Sequence, residues 1–409
     1  MVRIVPRLVC IAIVVGAGLL VAACTGDENR ASEAAVEVRA DGSVHVRNPE
    51  VGRWAEGEGW RLVEDLRIGA VDGAGPEVFG NVLSLSLAVD DEGRMFVLDG
   101  QANAIRVFAP SGAHVRTFGR AGSGPGEMRG PFLAGWGPDT TLWIADPANT
   151  RYTVFSRDGA YLASHRRAIG FSMRPWPGTI GTDGRIYDIG IRFGPRSEHV
   201  LVRVDPLTAA ADTFPLPAYD GGQFHLLNAA GLPMQSVTIP FAGRLIWSLD
   251  PRGYVWSTIT DHYVIVQQNL AGDTLLIVER EHRPIRVGAE ERAAALEQLQ
   301  DFVAAGGRVD AGRIPSTKPA LHGFAVDDRG YLWVVPQRPP GDERRAYDVF
   351  DPNGRYLGEV PASTFVLSWP APPVFRDDHV YGFTLDQLQV PYLVRQRIEG
   401  RAPRPARAR

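Results

Sequence analysis

Three histidines carry the sharpest chemistry in this chain of 409 residues. His199, His262 and His322 each fall at the edge of a short apolar run. Brought together, three imidazoles that leave one coordination position open would suit a catalytic zinc. Zinc or calcium is thus the metal chemistry to weigh against the plainer expectation of no cofactor. Hydrolase signatures are missing. There is no Gly-x-Ser-x-Gly elbow, no His-Glu-x-x-His and no Asp-x-Asp-x-Asp-Gly calcium loop. Gly122-Ser-Gly-Pro-Gly-Glu127 lacks the Gly-Lys-Ser/Thr ending of a phosphate loop, so its glycines read as a turn. Glu127 between Arg120 and Arg129 reads as half of a structural ion pair rather than an acid catalyst. The aspartate pairs at 90/91, 327/328 and 377/378 read as turn residues.

Bulk properties narrow the classes further. A net charge of -4 gives no reason to expect a nucleic-acid partner. Lys318 is the single lysine; every other basic side chain is arginine. Arg3 and Arg7 precede an apolar run over residues 8–20, and Val21-Ala-Ala-Cys24 closes it with small residues. This resembles the lipobox of bacterial lipoproteins, which implies removal of residues 1–23 and a lipid on Cys24. The mature charge would then be about -6, and Cys10 would leave with the leader. No thiol would remain for a disulfide or a nucleophile. The implied location is extracytoplasmic, lipid-anchored to the cell envelope, and the outer membrane in a diderm. Residues 24–58 are polar and rich in small side chains, the composition of a flexible tether with a stray strand near Val44 to Val46.

The elements that must position these residues come from a repeat. Residues 87–118 and 134–164 spell the same pattern twice, four short apolar runs split by turn residues. The turn positions Gly93, Thr140 and Gly184 are 47 and 44 residues apart, and Gly330 to His379 is 49. Gly184 to Gly253 and Gly253 to Gly330 are longer, at 69 and 77, so each carries an insertion, about 216–243 and 282–319. Within units the first turn precedes the second by 19 residues in three cases, at Gly93, Thr140 and Gly253. Six such units fit an all-β, six-bladed propeller of four-stranded antiparallel blades over 59–399. The sixth unit is one strand short, and the segment 60–68 would supply it and close the ring. Residues 400–409 read as a disordered basic tail.

Asp90-Asp-Glu-Gly-Arg-Met-Phe-Val-Leu-Asp99, the Phe108 to Gly112 turn and the Gly122-to-Glu127 linker resemble NHL-type six-bladed propellers, in particular the bacterial lipoprotein members. The resemblance implies the fold, a lipid anchor and a binding or scaffold role. Some NHL-like lyases use a histidine set, and no local motif here matches theirs.

The topology places the first and second turns of each unit on one face, and both are short. The remaining loops, with both insertions, share the opposite face. The segment 289–303 sets Ala293, Leu296, Leu299, Phe302 and Val303 at helical spacing, one amphipathic helix across the ring. Leu85, Phe132, Trp176, Leu245, His322 and Ala371 align where each inner strand begins, so they should ring the channel mouth. Of these Phe132, Trp176 and His322, with Arg120, Arg129 and Arg192, are the candidate binding residues. The pattern favours a module that binds an envelope protein or small ligand on the elaborated face; the alternative is a metal-dependent lyase or hydrolase.

Overall fold

The computed structural model describes residues 33–402, apart from 138, 168–179, 193–197, 218, 220–221, 230, 232 and 365–372. The side chains of 133, 188–192, 198 and 199 lie outside the described set as well. Each blade grows from local turn chemistry. The carboxylates of Asp90, Asp250 and Asp327 each accept two backbone N–H groups of their own turn. The second oxygen of Asp250 and of Asp327 accepts the indole N–H of Trp256 (3.0 Å) and Trp333 (3.1 Å). Such side chains stand in for a backbone turn and tie it to the strand that follows. Gly93, Gly184, Gly253 and Gly330 then adopt φ of 74°, 74°, 88° and 88°. Thr140 occupies the same place in blade two at φ 64°, a strained conformation for a β-branched residue.

The blades are antiparallel meanders. Blade one is Leu85–Val89, Met95–Asp99, Ala104–Phe108 and His114–Phe118. Blade two is Leu133–Trp136, Leu142–Asp146, Arg151–Phe155 and Tyr161–Arg166. Blade three contributes Ile186–Arg192, Glu198–Val204 and Ala211–Phe214, with an isolated bridge from Ile180 to Ile186. Blade four is Leu245–Leu249, Val255–Ile259, Val264–Gln268 and Thr274–Arg280, and blade five Leu321–Val326, Leu332–Pro336, Ala346–Phe350 and Tyr356–Pro361. Middle strands are buried on both faces, as Met95–Asp99 is throughout, because each sheet is sandwiched by its neighbours. The main apolar clusters accordingly span adjacent blades. Phe96 and Leu98 meet Ile144 and Phe155 between blades one and two, and Met95 and Val97 meet Tyr381 and Phe383 between one and six.

Blade six comprises Val374–Arg376, His379–Leu385 and Pro391–Glu399, and its outer strand comes from the other end of the chain. The three N-terminal strands are β1 (Ala35–Val38), β2 (Val44–Asn48) and β3 (Arg61–Ile68). β3 pairs antiparallel with Pro391–Glu399 from Leu393↔Ile68 to Glu399↔Arg61, so the ring closes as the sequence predicts.

The tether reading needs correcting within the described residues. β2 lies parallel to Thr274–Arg280 and β1 pairs with β2, which extends blade four to six strands. Arg53 and Trp54 donate backbone N–H groups to the carbonyls of Tyr356 and Leu357 on blade five. Val46 and Asn48 are each 1% exposed. Asn48 Nδ2 donates to the Gly354 carbonyl (2.8 Å) while its Oδ1 accepts the Tyr356 N–H (2.7 Å), pinning blade four to blade five. Polar composition concealed this docking because the partners lie hundreds of residues away.

The start of the tail differs too. The Arg401 side chain is 2% exposed, donates to Asp327 Oδ2 at 2.7 Å and stacks over Trp60 and Tyr331. Residues 403–409 lie outside the described set. The expected single helix is two, α1 (Ala289–Glu297) and α2 (Gln300–Ala304), turned so that Ala295, Leu299 and Phe302 are buried while Leu296 and Val303 are not.

Candidate functional site

The two insertions fold on each other. The first forms a hairpin, Gln223–Leu227 with Pro233–Thr238, and the second carries α1 and α2. Phe224 and Ile239 of one pack with Leu299, Phe302 and Ile314 of the other, a small core separate from the ring. Arg292 holds the second insertion by donating to the carbonyls of Ala311 (2.7 Å) and Ile314 (3.1 Å). Glu291 accepts from the Gly288 N–H at the start of α1 and from Lys318, whose hydrogen bond holds the carboxyl below its ordinary pKa. This cap stands on the elaborated face beside blade four.

Next to it, between the outer halves of blades four and five, is a cleft of about 500 Å³, a size that suits a small ligand. Asp348, 0% exposed, forms its floor. Asp348 Oδ2 accepts from the Tyr263 hydroxyl (2.6 Å) and from Arg280 (3.1 Å), and Oδ1 accepts from the Tyr356 hydroxyl (2.9 Å). The Arg280 guanidinium lies 4.2 Å from the Tyr356 ring centroid and 5.5 Å from that of Tyr263. Burial pushes the Asp348 carboxyl up, opposed by Arg280 and the two hydroxyls, and burial raises both tyrosines. On the cleft's walls Arg338 and Arg344 share the carboxylates of Asp342 and Glu359. Hydrogen bonding from Arg344 holds Asp342 well below the usual carboxylate range. Burial, chiefly, pushes the His282 imidazole below its ordinary pKa. The cleft is therefore polar but charge-compensated, which suits a polar or zwitterionic ligand better than a strongly charged one.

The residues singled out from sequence scatter. His322 opens the inner strand of blade five at the elaborated face, where burial and then the Arg244 and Lys318 cations lower its pKa. His262 is exposed and paired with its neighbour Asp261 at 2.8 Å. The His199 side chain lies outside the described residues, as do that of Arg192, Trp176 and Cys24. Among the described residues, no three His, Cys, Asp or Glu side chains are grouped to hold a metal. Phe132 is half-buried against the cluster of blades two to four. Arg120 bonds Glu127 at 3.0 Å, the expected surface ion pair, while exposed Arg129 is held through its backbone N–H to Asp146. The cleft residues Tyr263, Arg280, Asp348 and Tyr356 escaped sequence reading. The one signal was an aspartate in the middle of the apolar strand Ala346–Phe350.

No protein-family model matches the chain, and no curated protein matches it. Solved structures do match in fold. A member of the DUF4221 family from Bacteroides vulgatus aligns at TM-score 0.47 and 10% identity, covering 83% of this chain and 98% of that one. Virginiamycin B lyase from Staphylococcus aureus aligns at 0.40 and 10%, covering 83% and 99%. A calcium-binding protein, regucalcin, from Agrobacterium tumefaciens aligns at 0.37 and 10%, covering 88% and 99%. The likeness is one of fold alone. The strand order makes the chain a six-bladed β-propeller, closed by its own N-terminal strand.

Proposed function

We propose that this propeller is a lipid-anchored, extracytoplasmic binding module that engages a small polar ligand or an envelope protein through the cleft between blades four and five. The supporting observation is the concentration of elaboration. Both insertions, the cleft and the buried Asp348 cluster lie within one sector of the ring, while among the described residues the first and second turns of the blades on the opposite face are short. A rigid scaffold with elaborated loops on one side is the usual layout of a binding surface. Compensated charges on the walls give orientation by hydrogen bonds without a strong net field.

Photocrosslinking in the native envelope tests this. A crosslinking residue at Arg338 should give adducts that one at Asp158, in a short turn of blade two, does not. Equal labelling from both positions, or none from Arg338, would sink the proposal. Metal analysis of the mature protein divides it from the lyase or hydrolase alternative: near one equivalent of zinc, lost in His322→Ala, would replace the binding reading with the enzymatic one.

A further inference from the structure

We infer that the free edge of β1 is a self-association surface, where a second copy of this chain pairs antiparallel about a two-fold axis at Val36. β1 is the outermost strand of blade four, two strands beyond the four of an ordinary blade. Among the described residues no strand pairs with its outer side, and Ala35, Val36, Glu37 and Val38 are all exposed. The hairpin turn fixes which backbone groups point outward. The Arg39 N–H donates to the Ser43 carbonyl (2.8 Å), and bonded pairs alternate along an antiparallel ladder. Glu37 and Ala35 therefore bond across to β2, while the N–H and C=O groups of Ala34, Val36 and Val38 face outward. The far side of β2 agrees, since Asn48 turns its carbonyl to the Glu281 N–H. An open ladder edge of this kind is a template for another strand.

Side chains decide which strand that is. Alternate residues share a face of the sheet, so an antiparallel copy must set odd positions opposite odd and even opposite even. Centred on Val36, the pairing sets Glu33 opposite Arg39 of the second copy, and the two-fold axis repeats that contact at the other end. Val36 then faces Val36, and Ala34 faces Val38. Centring on Ala35 would set Glu33 against Glu37, and centring on Glu37 would set two glutamates face to face, both repulsive. Centring on Val38 would run into the Arg39 to Ser43 turn. The apolar side points to the same register. Val36 and Val38, 49% and 70% exposed, lie beside Val46 and Val44, and pairing at Val36 continues this valine row into the second copy. Opposite charges at both ends and one shared apolar row make the strand complementary to itself. None of Glu33 to Arg39 lines the cleft, so this surface is separate from the proposed binding site.

Sedimentation equilibrium of the full chain in density-matched detergent tests this. The wild type should show a concentration-dependent equilibrium between monomer and dimer. Val36→Pro removes only an outward N–H, which an edge strand tolerates, so the melting temperature should hold while the dimer weakens by about thirtyfold. Glu33→Arg and Arg39→Glu each set like charges opposite one another at both ends, and either variant alone should dimerise poorly. Mixed in equal amounts, the two variants face each other with opposite charges, and a heterodimer of wild-type affinity should return. A misfolded variant would not be rescued by mixing. A monomer at every concentration overturns the inference. A dimer that Val36→Pro leaves intact overturns it too, since another surface would then hold the copies together, and so does a mixture of the charge variants that stays monomeric.

Discussion

Blade five uses the same device at both of its seams, with different results. Toward blade six, the buried Asp327 pairs with Arg401, whose guanidinium is flanked by Trp60 and Tyr331. Toward blade four, the buried Asp348 pairs with Arg280, flanked by Tyr263 and Tyr356. A carboxylate, a guanidinium and two aromatic rings recur. The first assembly sits among short turns with Arg401 2% exposed, and acts as a lock. The second has Arg280 12% exposed at the bottom of a cleft open to solvent. Burial alone does not separate structure from candidate site; access to an adjoining cavity does. In each case desolvation raises the aspartate and its arginine opposes that rise.

The lock should be the costlier one to break. Arg401→Ala leaves Asp327 buried without its cation, and about 3–5 kcal/mol of unfolding free energy should be lost in urea titration. Lowering the pH should shrink that deficit. An aspartate whose folded pKa lies above its unfolded value loses stability as pH rises through the folded value, and removal of Arg401 raises it further. The variant's melting temperature should approach wild type as the pH is lowered toward the ordinary carboxylate range; a constant gap would mean Asp327 is not the group left behind. Arg280→Ala should cost less, roughly 2–3 kcal/mol, because cleft water can reach Asp348. Equal losses for the two arginines would erase the distinction between lock and site. Tyr263→Phe removes one hydrogen bond to Asp348 and should cost about 1–2 kcal/mol by the same titration. The smallest effect is a gain. Thr140→Gly relieves the positive φ where other blades carry glycine, and about 1 kcal/mol of added stability is expected from calorimetry.

Much of the scaffold was legible because its signals are local. An aspartate three residues before a left-handed glycine marks the turn, and the turns mark the blades. The strand 61–68 was readable as the missing edge, since an apolar run without a blade matched a blade without a fourth strand. The candidate site was not legible in the same way. Asp348 reads as an odd residue in one strand; its partners Arg280 and Tyr356 lie in two other strands and Tyr263 just before a third, two of the three in the neighbouring blade. The helical insertion was visible, but its buried side was misread because the hairpin that covers it comes from the other insertion. The polar stretch 35–48 looked like a tether because nothing nearby in sequence could satisfy it.

By itself, then, the sequence determined the number of blades, their antiparallel order, the ring closure and the face that carries the insertions. These follow from turn chemistry and hydrophobic periodicity, which act over a few residues. Tertiary structure alone decided that the N-terminal hairpin docks on blade four, that the insertions join into one cap, and that a buried carboxylate floors a cleft beside it. Those outcomes depend on which polar groups find partners across more than two hundred residues, as Asn48 does with Gly354. A buried hydrogen bond is favourable only once the whole ring has brought both partners out of water.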